Sequence, residues 1–129
     1  MTPNCDPEKA ATPRRILIVD DDVETTQALK RLLEAAGYLV REENDSARAS
    51  QHAREFQPDF VILDYLMPVV HGGDVAWQLA SDPNLRNIKL IVCSGAPVQE
   101  ITFNLPPNRF PILEKPVDID ALFHLLREP

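Results

Sequence analysis

The 129-residue sequence predicts an α/β fold, a doubly wound parallel sheet with helices on both faces. Three observations carry that prediction. The strand candidates are short, continuous apolar runs, as strands buried on both faces require. They alternate with stretches whose apolar residues recur at helical spacing. Turn and capping residues fall between the two kinds of segment.

Taken in order, RILIV (15–19) reads as the first strand and VETTQALKRLLEAAG (23–37) as a helix. In that helix Ala28, Leu29, Leu32, Leu33 and Ala36 recur on one side, and Gly37 fits a left-handed stop. YLVRE (38–42) is the second strand. NDSARASQHAREF (44–56) opens on capping residues, sets Ala49, Ala53 and Phe56 on one face and ends before Pro58. FVIL (60–63) is the third strand and runs into Asp64. GGDVAWQLA (72–80) is a helix with Val75, Ala76 and Leu79 inward, IKLIVCS (88–94) the fourth strand and FPILE (110–114) the fifth. DIDALFHLLRE (118–128) closes the chain, with Asp118 as its N-cap and Leu122, Phe123 and Leu126 as its core side.

Composition narrows the function. The formal charge of −7 argues against a nucleic-acid or membrane-surface binder, either of which needs a basic face. No apolar run approaches the roughly 20 residues that span a bilayer. MTPNCDPEKAATPRR has no apolar signal core. The expected location is therefore the cytoplasm. Residues 1–13 are Pro-rich and polar and are expected to form a disordered leader before a single domain, 14–129. Cys5 and Cys93 suggest no disulfide staple, and His52, His71 and His124 show no zinc spacing.

The strand ends hold the chemistry. In a doubly wound sheet, sites form at the carboxyl ends of the strands. Here the first strand ends in Asp20-Asp21-Asp22, the third in Asp64, the fourth in Ser94, and the fifth runs into Lys115. Three consecutive carboxylates repel, unless some reach water, cap a helix or share a cation. Mg²⁺ accepts one or two carboxylates together with a phosphoryl oxygen. Lys115 supplies a compact positive charge for a phosphoryl oxygen, and Ser94 a hydroxyl donor. Asp64 is then a candidate nucleophile, since carboxylates form phospho-aspartyl species. Each motif alone has a plainer reading: a solvated cap, a turn, a strand exit. His71 reads as a loop residue, Trp77 as helix packing and Cys93 as a buried structural thiol.

VDDD, LDYLMP, CSG and EKP, in that order and at these separations, resemble the receiver domain of bacterial two-component response regulators over residues 14–127. The resemblance implies a flavodoxin-like (βα)5 fold with strand order 2-1-3-4-5, and a phosphoryl group taken from a histidine kinase or a histidine phosphotransfer protein. Carried over by position, it makes Asp64 the phosphoacceptor. Asp20 and Asp21 become the acidic pair around Mg²⁺, with Asp21 favoured as the direct ligand. Asp64 and the backbone carbonyl of Leu66 complete the metal set. Ser94 takes the switch hydroxyl position and Lys115 the phosphate-binding position, with a candidate cis bond to Pro116. Asp22 is left to cap the first helix.

The sequence departs from that family in three places. APVQEITFNLPPNRFP stands where a fourth helix is usual; its prolines predict that this helix is short or missing. Ile112 takes a position that often holds an aromatic switch residue, and Phe110 is a candidate substitute. Leu66 and Ala96, at positions that often tune phosphate lifetime, are both apolar. The chain ends directly after its last helix, so the expected role is a stand-alone phosphoacceptor, acting by conformational change or as a phosphate shuttle or sink. A monomer is expected before phosphorylation, with the response centred on residues 95–111. Two other functions fit less well. A haloacid-dehalogenase-like phosphatase would want threonine where Glu24 stands, and a phosphorylation-independent pseudo-receiver would not need the full residue set.

Overall fold

The computed structural model describes residues 13–65, 72–95 and 110–127. Most of the leader, Leu66, His71, Ala96 and nearly all of the Pro-rich segment before β5 lie outside the described residues. Five strands form one parallel sheet in the order β2-β1-β3-β4-β5. They are β1 (Arg15–Val19), β2 (Leu39–Glu43), β3 (Phe60–Asp64), β4 (Lys89–Ser94) and β5 (Ile112–Glu114). The described α-helices are α1 (Val23–Ala35), α2 (Ala49–Phe56), α3 (Gly72–Ser81) and the closing helix α4 (Ile119–Arg127). This is the flavodoxin-like arrangement that the strand pattern and the resemblance imply. Among the described residues no helix is long and apolar enough to cross a membrane.

The two-residue alternation of a strand divides the core between the sheet faces. Leu17, Val19, Val61, Leu63 and Val92 point to one face, which is covered by Ala49, Ala53 and Phe56 of α2 and by Val75, Ala76 and Leu79 of α3. Ile16, Ile18, Phe60, Ile62 and Ile91 point to the other, covered by Leu33 of α1 and by Leu122 and Leu126 of α4. Each apolar run is therefore continuous because each face is capped by helices. Register carries this platform to the strand ends. Val19 lies beside both Glu43 and Leu63, Asp64 beside Cys93, and Ser94 beside Glu114.

Acidic side chains start most of the helical segments. Asp22 Oδ1 accepts from the amides of Glu24 and Thr25 at 3.1 and 3.4 Å. The Thr25 hydroxyl bonds Asp22 Oδ2 at 2.7 Å; this contact, with the backbone amides, holds the Asp22 carboxyl below its ordinary pKa. Asp45 and Asp82 cap short 3₁₀ turns, and Asp118 caps α4. Gly37 follows α1 at φ +99°, a region that L side chains rarely adopt.

Three elements differ from the sequence reading. The second helix is preceded by a 3₁₀ turn, Ser46–Arg48, capped by Asp45, and the α-helix itself starts at Ala49. The fifth strand is the three residues Ile112–Glu114, shorter than FPILE. The inward face of α1 is rotated. Thr26 and Leu33 are buried, Leu29 is half-buried, and Ala28, Leu32 and Ala36 are exposed. The cause is Thr26, which an apolar count overlooks. Its hydroxyl reaches the Val23 carbonyl at 2.9 Å and receives the Asn44 amide at 3.1 Å, so it is buried without an unmet polar group. Ala28, Leu29 and Leu32 instead line an open groove of about 450 Å³ with Val117 and Ile119. Trp77 is also turned outward, 47% exposed, while Val75 and Ala76 beside it are fully buried.

Two leucines one position apart test the rotation of α1. Leu33→Ala should cost about 3 kcal/mol in urea unfolding, as expected for a fully buried leucine. Leu32→Ala should cost under about 1 kcal/mol. Similar losses at both positions would contradict the described face.

Candidate functional site

Strands β1 and β3 are neighbours, so their ends bring Asp20 and Asp64 together. Both carboxylates are buried, at 5% and 6% exposure, and Asp21 beside them is exposed. One carboxylate oxygen from each of Asp20, Asp21 and Asp64 lies within 4.8 Å of the others. Lys115, directly after β5, reaches across the sheet edge. Its Nζ donates to Asp64 Oδ1 at 2.9 Å and lies 3.8 Å from Asp20 Oδ2. Its backbone amide donates to the Ser94 carbonyl at 2.8 Å, and the bond to Pro116 is cis. Ser94 is fully buried at the end of β4. The residues singled out at four strand ends thus share one edge. Asp22 lies apart from the cluster's oxygens, occupied as the α1 cap.

Electrostatics at this edge are one-sided. Burial pushes the Asp20 carboxyl up to about 6; the hydrogen bond from the Asp22 amide opposes this, while the negative charge of Asp64 adds to it. Burial works to lower the Lys115 pKa, but the hydrogen bond and charge of Asp64, with the charge of Asp20, outweigh it and raise the pKa. Lys115 is therefore held in its charged form by the carboxylates it faces. Burial pushes the neighbouring Cys93 thiol up to about 12, which suits a structural rather than a reactive cysteine.

This donor set fits a hard divalent cation: oxygens only, a buried pair beside an exposed third, and more negative charge than one lysine balances. Two further residues support it that the sequence reading did not single out. Asn44 Nδ2 donates to the Asp20 carbonyl at 2.8 Å and to Thr26 Oγ1 at 3.1 Å. Neither has a motif. An asparagine after a strand reads as a cap, and a threonine in a helix as a neutral filler. Ile112 and Phe110 both pack against the face covered by α2 and α3.

Fold and edge together define a doubly wound α/β domain with an acidic, lysine-bearing site at its strand ends. The chain belongs to the response regulator receiver domain family, whose model matches residues 16–127. It is 33% identical over 115 residues to the response regulator MprA of a Mycobacterium species (strain KMS), covering 89% of this chain and 50% of that protein. It is 33% identical over 83 residues to the polar-differentiation response regulator DivK of Brucella anthropi, covering 64% of this chain and 68% of that protein. The chain spans about half the length of MprA. Among solved structures, the receiver domain of the sensor histidine kinase PA1611 from Pseudomonas aeruginosa PAO1, with a magnesium ion coordinated in its active-site cleft, superposes with a TM-score of 0.79. It shares 22% sequence identity, over 90% of this chain and 96% of that one. The chain carries a response regulator receiver domain, the module of two-component signalling.

The Asp20 carboxyl sets a pH dependence. Its folded pKa of about 6 stands above the ordinary 3.8, so the folded state holds a proton that the unfolded state releases. That contribution is present in full below about pH 4 and is lost as pH rises through 6. In chelator at pH 7.5, Asp20→Asn should therefore be more stable than wild type, by about 2 kcal/mol. The gain should shrink toward pH 4. Urea unfolding of both proteins across this range checks it, and a gain that is constant with pH would contradict it.

Proposed function

We propose that Asp64 accepts a phosphoryl group from the phosphohistidine of a histidine kinase or histidine phosphotransfer protein. The observation that carries this reading is the Lys115–Asp64 contact, placed beside Asp20 and Asp21 at the carboxyl edge of the sheet. An Asp64 carboxylate oxygen attacks phosphorus, the P–N bond breaks, and the imidazole leaves with the bonding pair and takes a proton from solvent. Lys115 Nζ exchanges its carboxylate contact for a phosphoryl oxygen, and the Ser94 hydroxyl donates to another. Asp20, Asp21, Asp64 and the Leu66 carbonyl would hold Mg²⁺. The ion supplies charge neutralisation to a transfer that depends mainly on positioning. The relative from Pseudomonas aeruginosa, with magnesium in its cleft, supports the choice of ion. On the same reading the domain acts in the cytoplasm and is monomeric until phosphorylated, without nucleic-acid or membrane binding. Asp22 argues against the haloacid-dehalogenase pattern, since its carboxylate is committed to the α1 cap.

Acetyl phosphate with Mg²⁺, read by intact mass, tests the acceptor. Wild type should gain about 80 Da, the phosphoryl mass, and Asp64→Asn should gain nothing while remaining folded. Full labelling of Asp64→Asn would place the acceptor elsewhere. Catalytic turnover of phosphate esters would favour a phosphatase, and no labelling of wild type a pseudo-receiver.

The metal assignment has its own test. At a hundredfold excess over its dissociation constant, Mg²⁺ should stabilise the fold by about 2.7 kcal/mol at pH 7.5. The stabilisation should be smaller at pH 5, where Asp20 retains its proton. Asp21→Ala should abolish the Mg²⁺-dependent rise in Tm. A wild-type Tm that does not move with millimolar Mg²⁺ would rule the site out.

A further inference from the structure

The β1–α1 turn must carry Asp20 and Asp21 beside Asp64 without opening under their repulsion. Both backbone polar groups of Asp20 are held from the end of β2. The Asp20 amide donates to the Glu43 carbonyl at 3.2 Å, which continues the β1–β2 ladder by one rung. In a parallel ladder the next bond would run from the Asp45 amide back to the Asp20 carbonyl. Here Asp45 is the N-cap of the 3₁₀ turn that begins at Ser46, and its amide donates instead to Glu43 Oε2 at 3.1 Å.

The Asn44 side chain replaces the missing rung. Its Nδ2 donates to the Asp20 carbonyl at 2.8 Å, and its second hydrogen goes to Thr26 Oγ1 at 3.1 Å. Thr26 is fully buried in the first turn of α1 and its hydroxyl reaches the Val23 carbonyl at 2.9 Å. One amide therefore ties the residue after β2 to the Asp20 carbonyl and to Thr26, whose hydroxyl also lies 3.2 Å from the Asp22 carbonyl at the other end of the acidic run. Within the run, the Asp22 amide fixes Asp20 Oδ1 at 3.0 Å. Without this tie, like charges would relax apart, and a cation would have to gather them again on binding.

We infer that Asn44 is a positioning residue for the cation site, holding the Asp20–Asp22 turn in its binding geometry and thereby setting the affinity for a divalent ion. The inference rests on the Mg²⁺ reading proposed above. Calorimetric titration of Mg²⁺ at pH 7.5 into wild type, Asn44→Ala and Thr26→Val tests it, with urea unfolding of the metal-free proteins alongside. Asn44→Ala should weaken Mg²⁺ binding tenfold or more, the scale seen when groups that orient metal ligands are removed. Thr26→Val should weaken it less, because the bond to the Asp20 carbonyl survives. A merely structural role would lower the metal-free stability of Asn44→Ala and leave the Mg²⁺ Kd of the folded protein unchanged.

An Asn44→Ala Kd within twofold of wild type overturns the inference and leaves the metal reading intact. Absence of Mg²⁺ binding by wild type overturns both. Should Asn44→Ala not fold, Asn44→Ser, whose hydroxyl is too short to span both acceptors, must show the same loss.

Discussion

Like-charge repulsion concentrates at one edge of the sheet, and the strands beneath it must withstand that repulsion. Adjacent strands β1 and β3 end in register, so Asp20 and Asp64 are brought together by the backbone itself. Two unit charges about 4 Å apart cost roughly 4 kcal/mol at an effective dielectric near 20. Asp21 adds a third carboxylate, and Lys115 brings one positive charge in return. Such a cluster persists only on a stiff support. The strands supply it: Ile16 to Val19 and Phe60 to Leu63 are almost wholly buried and held from both faces.

The acidic residues divide by task. Asp22, Asp45, Asp82 and Asp118 each spend their oxygens on the backbone amides that open a helical segment. Asp59 accepts the Arg15 amide at 2.8 Å at the opposite end of the sheet. Asp20, Asp21 and Asp64 do not open helices; they converge. That division separates carboxylates that cap helical segments from those gathered at the carboxyl edge of the sheet. Asp22, embedded in the acidic run yet occupied as a cap, marks the boundary between the two sets. The same division answers why a buried strand ends in three carboxylates: one starts the next helix, and the other two stand beside Asp64.

Much of this was legible in the sequence because the signals were local. Ile16–Val19 and Phe60–Leu63 are continuous apolar runs, and the carboxylates that follow them stand at the expected strand ends. Val75, Ala76 and Leu79 face inward as their spacing predicts. The reach of Lys115 to Asp64, 51 residues away, follows once strand order is known, because each belongs at a strand's carboxyl end. The rotation of α1 was not legible. Thr26 and the leucines offer competing stripes, and the choice turned on a hydroxyl whose partner, Asn44, is 18 residues distant. The tie from Asn44 to the Asp20 carbonyl was hidden for the same reason. It exists because the chain leaves β2 one residue too early for the ladder to continue, and no periodicity records that.

On the metal reading proposed above, the carboxylates gathered by β1 and β3 share a divalent cation. Crystals grown with Mn²⁺ in place of Mg²⁺ and measured for anomalous scattering test it most directly. A single strong anomalous peak is expected within coordination distance of Asp20 or Asp21 and of Asp64, on the carboxyl edge of the sheet. A well-occupied peak elsewhere with none at this edge, or no peak at millimolar Mn²⁺, would contradict it.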